Sequence, residues 1–515
     1  MVVLLGMGLD VMEVDAAQYA SMSRDMMLRG DVLHLFFRDA DYLDKPPLLF
    51  WLSALSFKLF GVHDWSYRLP SVLFACLGVF STFRFAALYH DRSVARMAAI
   101  MFAGSAAFFV MTNDIRCDTI LTGAVITAIW LGCAWLESGR IWQLSGCAMA
   151  VSAALLAKGP IGAVAPLLAI GGQVIFARKW SELKDPKLLV VPIIIAALLL
   201  PMCIGLYQQH GAHGLRFFFW EQSFGRITGE NRWKDDSTLF YFTHELLWQM
   251  LPWTVVILLG SWRNVRSLFR GDRLPEYAST VGALLVFAAL SLSQFKLPHY
   301  LFVTLPLFAV IGASAWAEFS GRRSLFKVQI GLLVILFVLA LLITFLAFPD
   351  GRWPFVLALC LAFGISAHQL RGSNGRQCLF LSSAWLMVAV GVVMNGHFYS
   401  NVLRYQANAT AGRWAAENEK ERGRFFELQT SGSAIDYYAG YPVPWIGNAD
   451  DARKVIRPGV VIYTDEPHRR DLIQAGLVPV EVMELANHPA QRLSVPFLLP
   501  VQRPSTLEQR YLLIY

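Results

Sequence analysis

The chain has 515 residues, of which 56% are hydrophobic and only 16% are charged, and its formal net charge is +7. This composition, with a mean hydropathy of +0.47, excludes a disordered chain, a collagen-like chain and an ordinary soluble enzyme, and it favours a polytopic membrane protein. Nucleic acid is not expected as a partner, because the basic residues form no compact domain.

Long apolar runs recur along the chain and predict a mainly α-helical transmembrane bundle, because a helix needs ~20 apolar residues to cross a bilayer. Met1–Leu9 is apolar but too short to span, so it is interpreted either as the end of a thirteenth span that starts upstream or as an interfacial stub. Twelve spans are predicted at 69–89, 93–112, 118–136, 141–157, 161–177, 187–206, 243–262, 277–293, 299–319, 326–348, 353–370 and 378–398.

Basic residues are unevenly distributed between the two sides of these spans. One set of alternate loops carries sixteen lysines and arginines, and the opposite short connections carry four. Because loops rich in Lys and Arg stay in the cytoplasm, the first set is assigned to that side. The long loops 10–68 and 207–242, and all residues after 398, are then expected to face outward.

The first outward loop contains two predicted interfacial helices. Residues 15–29 form an amphipathic helix, and residues 47–61 form an apolar helix that is too short to span. Between them, Asp44 and Lys45 precede two prolines that fix the start of the second helix. A surface ion pair beside a helix start would also explain these residues. The apolar stripe of the first helix consists of Tyr19, Met22 and Met26.

Four further polar clusters are predicted at the outer face. Taken singly, each has a simpler explanation, such as capping of a helix or a lysine that extends to the interface. Acids, cations and a tyrosine from distant parts of one chain that converge on one membrane face indicate a site, and they suit a lipid-embedded substrate that carries a phosphate. The candidate side chains are Arg116 and Asp118; Lys158; Glu221 and Arg226; and Lys296, His299 and Tyr300.

The chain is divided into a transmembrane domain, residues 1–398, and a C-terminal α/β domain, residues 399–515. Polar and apolar residues alternate in the second part, which contains no spanning run. Strands are predicted at 460–463 and 511–514, and helices at 410–422 and 467–475. The seven cysteines form no C-x-x-C pair and are interpreted as small buried hydrophobes rather than as zinc ligands or disulfides.

Several motifs in residues 10–310 resemble those of the GT-C type glycosyltransferases, which use polyprenyl-phosphate sugars. The similarity is greatest to the bacterial aminoarabinose (lipid A) transferases and extends more distantly to the protein O-mannosyltransferases. That family has thirteen spans and a C-terminal periplasmic domain. The motifs are VDAAQYASMSRDM, YLDKPPLLFWLSALSFKLFG, RLPS, RCDTIL, AKGPIG, EQSFGRITG and FKLPHYLFVTLP.

The resemblance implies a role for individual residues. Asp15 matches the essential acid of the family, and Asp118 matches its second acidic position. The acidic position of Asp44 helps to bind a divalent metal (Zn, Mg or Mn) in some relatives, but the histidine ligand of such sites is replaced here by Ser223. An arginine position of the family is occupied by Gln18. The contacts to the carrier phosphate are implied for Lys45, Arg226 and Tyr300, with Lys296 and His299 beside them.

The activity implied is transfer of a sugar, with inversion, from an undecaprenyl-type carrier to an acceptor at the periplasmic face of the bacterial inner membrane. The acceptor is expected to be a lipid A-type glycolipid, another glycan or a protein, and the enzyme is expected to be a monomer in contact with membrane lipids. A transporter or flippase of lipid-linked sugars is the alternative, although such proteins tend to show internal repeats and polar groups at mid-membrane. A scaffold without catalysis is the third reading.

Overall fold

The computed structural model describes residues 2–222, 225, 236–319, 322–370, 375–418, 423–430 and 432–515. Its first part is helical, as predicted. The helices are α1 (Val2–Gly6), α2 (Asp15–Arg29), α3 (Leu48–Phe60), α4 (Asp64–Tyr89), α5 (Arg92–Ala103), α6 (Ala106–Asn113), α7 (Cys117–Ser138), α8 (Ile141–Lys158), α9 (Ile161–Phe176), α10 (Val190–Arg216), α11 (Tyr241–Gln249), α12 (Thr254–Arg270), α13 (Ala278–Ser291), α14 (Leu305–Phe319), α15 (Arg323–Leu342), α16 (Trp353–Leu370) and α17 (Gly375–Val393). Short 3₁₀ or π-helical segments adjoin them at Trp180–Lys184, Pro186–Leu189, Phe217–Glu221, Pro298–Thr304, Ile343–Ala347 and Met394–Phe398.

Eight helical segments in the described part of the chain are long and apolar enough to cross a membrane, and each matches a predicted span. The protein is therefore a multi-pass membrane protein, as predicted. The eight segments are Asp64–Tyr89, Cys117–Ser138, Ile141–Lys158, Pro186–Glu221, Pro298–Glu318, Arg323–Ala347, Trp353–Leu370 and Gln377–Tyr405.

The other four predicted spans are shorter or broken in the structure. The span at 93–112 is divided into α5 and α6, which meet at an angle of 52°. Those at 161–177 and 277–293 are the helices α9 and α13, of 16 and 14 residues. The span at 243–262 is interrupted between α11 and α12, where Pro252 has no amide hydrogen to continue a helix.

Local sequence signals fix the helix ends that carry the candidate site. Gly30 ends α2 in the left-handed region, with a φ of 71°. Gly159 ends α8 with a φ of 79°, directly after Lys158. Asp118 lies in the first turn of α7, which runs antiparallel to α8. Consequently Asp118 and Lys158 lie at the same end of the bundle.

The C-terminal domain contains a five-stranded mixed sheet. A short hairpin in the first loop consists of β1 (Phe36–Phe37) and β2 (Ala40–Asp41). The strands of the C-terminal sheet are β3 (Phe425–Leu428), β4 (Trp445–Ile446), β5 (Val461–Asp465), β6 (Glu481–Asn487) and β7 (Glu508–Ile514). Strands β3, β4 and β5 are parallel to one another, whereas β7 runs antiparallel to β5 and β6. The strand order is β4-β3-β5-β7-β6. The helices are α18 (Tyr399–Val402), α19 (Ala407–Asn418), α20 (Ala434–Ala439), α21 (Ala449–Val455), α22 (Glu466–Gln474) and α23 (Val495–Leu498), with 3₁₀ segments at Leu403–Tyr405 and Arg503–Thr506.

The two strands and two helices predicted in this domain correspond to β5, β7, α19 and α22, whereas the other three strands were not predicted from the sequence. The helical run after α17 continues to Tyr405, so the domain boundary placed at 398/399 falls inside a continuous helix. The last span therefore passes directly into the C-terminal domain.

The predicted interfacial helices are present as α2 and α3, with nearly the predicted bounds. Nine of the 15 residues of α2 are buried, including the predicted apolar stripe. The polar side of α2 contacts the C-terminal domain, because the Arg24 guanidinium donates hydrogen bonds to the carbonyl oxygens of Asp436, at 2.5 Å, and Tyr437, at 3.3 Å. The helix is thus held between two parts of the protein, with the C-terminal domain on its polar side.

Candidate functional site

A cavity of about 1100 Å³, counting the space at its mouth, lies where α2, α7, α8 and the 3₁₀ segment Pro298–Thr304 meet. Seven of the side chains singled out in the sequence line it. They come from five separate parts of the chain, as expected for a site built by convergence. The seven are Asp15, Lys45, Arg116, Asp118, Lys158, His299 and Tyr300.

One wall of the cavity is formed by Asp15 and Arg116. The Arg116 Nη1 donates a hydrogen bond to Asp15 Oδ2 at 2.5 Å, and its Nε donates to Asp114 Oδ2 at 2.8 Å. Burial lowers the pKa of Arg116, but the Asp114 and Asp15 carboxylates outweigh burial and raise it above the usual value. The guanidinium is therefore permanently charged, and it fixes the orientation of the Asp15 carboxylate at the start of α2.

A second group joins Asp118 to Lys158. The Lys158 ammonium donates a hydrogen bond to Asp118 Oδ1, and its Nζ lies 4.0 Å from the centroid of the Tyr300 ring. His299 Nε2 lies 3.8 Å from Asp118 Oδ2, beyond hydrogen-bond distance. A carboxylate at the start of α7 and an ammonium at the end of α8 both have favourable signs for the helix dipoles. Lys158 thus ends inside the cavity, where it contacts both the acid and the aromatic ring.

Lys45 contributes a cation from the segment between α2 and α3. Its Nζ lies 2.5 Å from Asp44 Oδ2, and Pro46 and Pro47 lead into α3. Burial lowers the pKa of Lys45, but the Asp44 carboxylate outweighs burial and raises it, so the ammonium is protonated at neutral pH. The Gln222 side-chain amide donates a hydrogen bond to the Asp44 carbonyl oxygen and ties this segment to the chain that follows α10.

Three of the predicted side chains do not line the cavity. Lys296 is buried, and its Nζ donates hydrogen bonds to the carbonyl oxygen and the hydroxyl of Ser237, both at 3.2 Å. Glu221 pairs with Arg216, with 3.2 Å between Oε1 and Nε. Asp44 is absent from the lining, and its carboxylate pairs with Lys45, which does line the cavity.

Arg226 and Ser223 lie outside the described residues, so the role of Arg226 stays a prediction. In the ranges that the structure describes, no group of three or more His, Cys, Asp and Glu side chains is arranged to hold a metal ion. Among those residues the carboxylate of Asp44 therefore lacks the companion ligands that a zinc site needs.

Four polar or reactive side chains of the lining were not predicted as site residues: Tyr19, Cys117, Gln222 and Ser293. Tyr19 belongs to the apolar stripe of α2, and a tyrosine in such a stripe gives no signal of a site. The rest of the lining is mostly apolar and was also not predicted, because every span is apolar and hydropathy does not distinguish the side that faces a cavity. The apolar side chains include Leu121, Ile161, Val164, Leu290, Leu297 and Val303.

The family model of the dolichyl-phosphate-mannose-protein mannosyltransferases matches residues 44–204. The chain is 28% identical over 314 residues to the undecaprenyl phosphate-alpha-4-amino-4-deoxy-L-arabinose arabinosyl transferase of Pseudomonas aeruginosa, a match that covers 58% of this chain and 54% of the relative. The enzyme of the same name from Erwinia tasmaniensis is 27% identical over 322 residues, which covers 60% of this chain and 56% of the relative. The chain thus spans about half the length of the curated relatives it matches.

Among solved structures, the chain is similar to ArnT from Cupriavidus metallidurans bound to undecaprenyl phosphate. The TM-score is 0.76, the identity is 17%, and the match covers 99% of this chain and 96% of that one. The apo oligosaccharyltransferase of Archaeoglobus fulgidus has a TM-score of 0.52 at 12% identity, covering 90% of this chain and 68% of that one. The chain therefore has a GT-C type fold and resembles the aminoarabinose transferases, as predicted.

Proposed function

We propose that the protein is a membrane glycosyltransferase that moves a sugar from an undecaprenyl-type polyprenyl phosphate to an acceptor at the periplasmic face of the bacterial inner membrane. The observation that carries this proposal is the single cavity lined by Asp15, Lys45, Asp118 and Tyr300. It combines fixed cations, which bind phosphate, with carboxylates and apolar side chains, which suit a sugar donor on an isoprenoid chain. The acceptor is a lipid A-type glycolipid, another envelope glycan or a protein.

In the proposed reaction, Lys45 and Tyr300 hold the phosphate of the carrier, and Arg226 joins them. An acceptor oxygen bonds to the anomeric carbon from the face opposite the phosphate. The bond from that carbon to the phosphate oxygen breaks, and the bonding electrons leave with the polyprenyl phosphate, so the anomeric centre is inverted. The cations stabilise the charge that develops on the leaving group.

The two carboxylates have different tasks in this reaction. Asp15 takes the proton of an acceptor hydroxyl, since a carboxylate in hydrogen-bond reach can act as a general base. If the acceptor is a phosphate, it is already anionic, and Asp15 only orients it. Asp118 is neutralised by Lys158 and positions the sugar of the donor.

The proposal is tested with purified protein in proteoliposomes that contain a radiolabelled undecaprenyl-phosphate sugar and extracted envelope lipids. We expect the label to appear in a new covalent product, which mass spectrometry identifies together with its sugar and acceptor. Movement of the intact carrier across the vesicle without a new product would instead establish a flippase. A parallel assay with EDTA measures whether transfer needs a divalent metal.

Replacement of Tyr300 by phenylalanine removes the hydroxyl and keeps the aromatic ring, so it separates the contributions of the two groups. The ring contacts Lys158 and His299, whose centroid lies 4.9 Å away, and both contacts persist in Tyr300→Phe. We expect Tyr300→Phe to raise the KM for the carrier by about 10- to 100-fold, because a hydrogen bond to a charged phosphate contributes about 1.5–3 kcal/mol. Tyr300→Ala should lower kcat as well, because Lys158 loses the ring. Equal values of KM and kcat for wild type and Tyr300→Phe would show that the Tyr300 hydroxyl does not bind the phosphate.

A further inference from the structure

The segment directly before Asp15 is held by the C-terminal domain. The Asp10 carboxylate accepts hydrogen bonds from both terminal nitrogens of Arg413, at 3.0 and 2.8 Å. The backbone N–H of Val11 donates to the Tyr438 hydroxyl at 2.7 Å, and its carbonyl oxygen accepts from the Gln406 side chain at 2.8 Å. These contacts fix the backbone four and five residues ahead of the carboxylate that lines the cavity.

Glu13 is joined to the C-terminal domain by three hydrogen bonds of its side chain and one of its backbone. Its Oε1 accepts hydrogen bonds from Asn408 Nδ2 at 3.0 Å and from the Ala434 N–H at 2.7 Å. Its Oε2 accepts a third from the Ser433 N–H at 3.0 Å. The backbone N–H of Glu13 donates to the side chain of Gln406 at 2.9 Å. One side chain of the membrane domain therefore joins the starts of two helices of the C-terminal domain, two residues before Asp15.

Arg38, a further side chain from the first loop, also contacts the C-terminal domain. Arg38 Nη2 lies 2.8 Å from Glu427 Oε2, and Arg38 Nε lies 2.8 Å from Asp436 Oδ2. Glu427 is in β3, which lies between the parallel strands β4 and β5. In open α/β sheets a ligand binds beyond the carboxyl ends of such strands, where the strand order reverses. Here the acidic face beside β3 is occupied by an arginine of the membrane domain.

We propose that Glu13 is a positioning residue through which the C-terminal domain holds Asp15 in place within the cavity. The proposal rests on the proposed function, because positioning is measured by its effect on sugar transfer. The domain thus acts on the reaction through the backbone of residues 10–14, and it does so without lining the cavity in the part of the chain that the structure describes. The Asp15 carboxylate itself pairs with Arg116 of the membrane domain.

The test uses full-length protein with a graded pair of variants. Glu13→Ala removes all three hydrogen bonds, whereas Glu13→Gln retains the oxygen that accepts two of them and places an amide against the Ser433 N–H. Because a displacement of about 1 Å can lower a rate about 100-fold, we expect Glu13→Ala to lower kcat about 100-fold and Glu13→Gln to lower it less. The KM for the carrier should not change, because Lys45 and Tyr300 lie outside the segment. Glu484→Ala, at an exposed position of β6, is the matched control.

Hydrogen exchange provides a readout that does not depend on transfer. In Glu13→Ala the amides of residues 10–20 should exchange faster, while those of α7 should be unchanged, since α7 packs within the membrane domain. Unchanged exchange at residues 10–20, or an unchanged kcat, would overturn the positioning role. Faster exchange in α7 as well, together with a raised KM, would also overturn it, because the substitution would then have disturbed the whole membrane domain. If the wild type transfers no sugar, the proposed function fails, whereas the exchange result still decides whether Glu13 holds the segment.

Discussion

Replacement of Lys45 by alanine is expected to lower the rate of sugar transfer by about 10²–10³-fold, the loss typical when one charged contact to a developing anion is removed. Lys45 is the cation of the cavity with the fewest competing partners among those described, because Arg116 pairs with two carboxylates, whereas Lys158 pairs with Asp118 and also contacts the Tyr300 ring. Among the described residues, Lys45 forms its ion pair with Asp44, whose side chain is 40% exposed. It is therefore the ammonium best placed to turn towards a phosphate.

The fold should survive this substitution. Removing Lys45 leaves Asp44 without its ion-pair partner, but the Asp44 side chain is partly exposed, so water can solvate the remaining negative charge. Transfer is measured as the initial rate at saturating acceptor, and folding is measured as the thermal unfolding temperature in detergent. Lys58→Ala is the matched control, since Lys58 is exposed in the last turn of α3. A transfer rate in Lys45→Ala equal to that of Lys58→Ala would remove Lys45 from the phosphate site.

Uninterrupted patterns could be predicted from the sequence. The bounds of α2 follow from a stripe of apolar side chains at helical spacing that ends at Gly30, and the eight long spans follow from continuous apolar runs. Hydropathy did not predict the break at Pro252, because an average over a window gives little weight to one residue that cannot donate a hydrogen bond.

Contacts between distant residues of the site were less predictable. Asp118 and Lys158 were each singled out, but their direct pairing follows from the antiparallel arrangement of α7 and α8. Lys296 was grouped with His299 and Tyr300 because it is near them in sequence, and the structure turns it towards Ser237 instead. Adjacency in sequence is thus a poor guide to where a long side chain ends.

The contacts of the C-terminal domain gave no signal at all in the sequence. Glu13 and Arg38 are ordinary charged residues of a polar loop, and their partners lie about 400 positions later in the chain. No periodicity predicts such a pair. Nevertheless, these contacts decide where the segment before the first catalytic candidate lies.

Replacement of Asp15 by asparagine is expected to distinguish the two classes of acceptor. The substitution keeps the shape of the side chain, and Arg116 retains its pair with Asp114, so the cavity should remain intact. If the acceptor group is a hydroxyl, the asparagine cannot accept its proton as Asp15 does, and the rate of transfer should fall by about 10²–10⁴-fold. If the acceptor is a phosphate, no proton has to be removed, and the loss should be far smaller.

The measurement compares initial rates of Asp15→Asn with a hydroxyl acceptor and with a phosphorylated one. Asp39→Asn is the control, because Asp39 is 92% exposed and pairs only at the surface with Arg29. A large loss with both acceptors would mean that the negative charge of Asp15 is needed to orient the acceptor or the donor rather than to accept a proton. No loss with either would remove Asp15 from the reaction, and the contacts that Glu13 makes two residues earlier would then serve the assembly of the two domains alone.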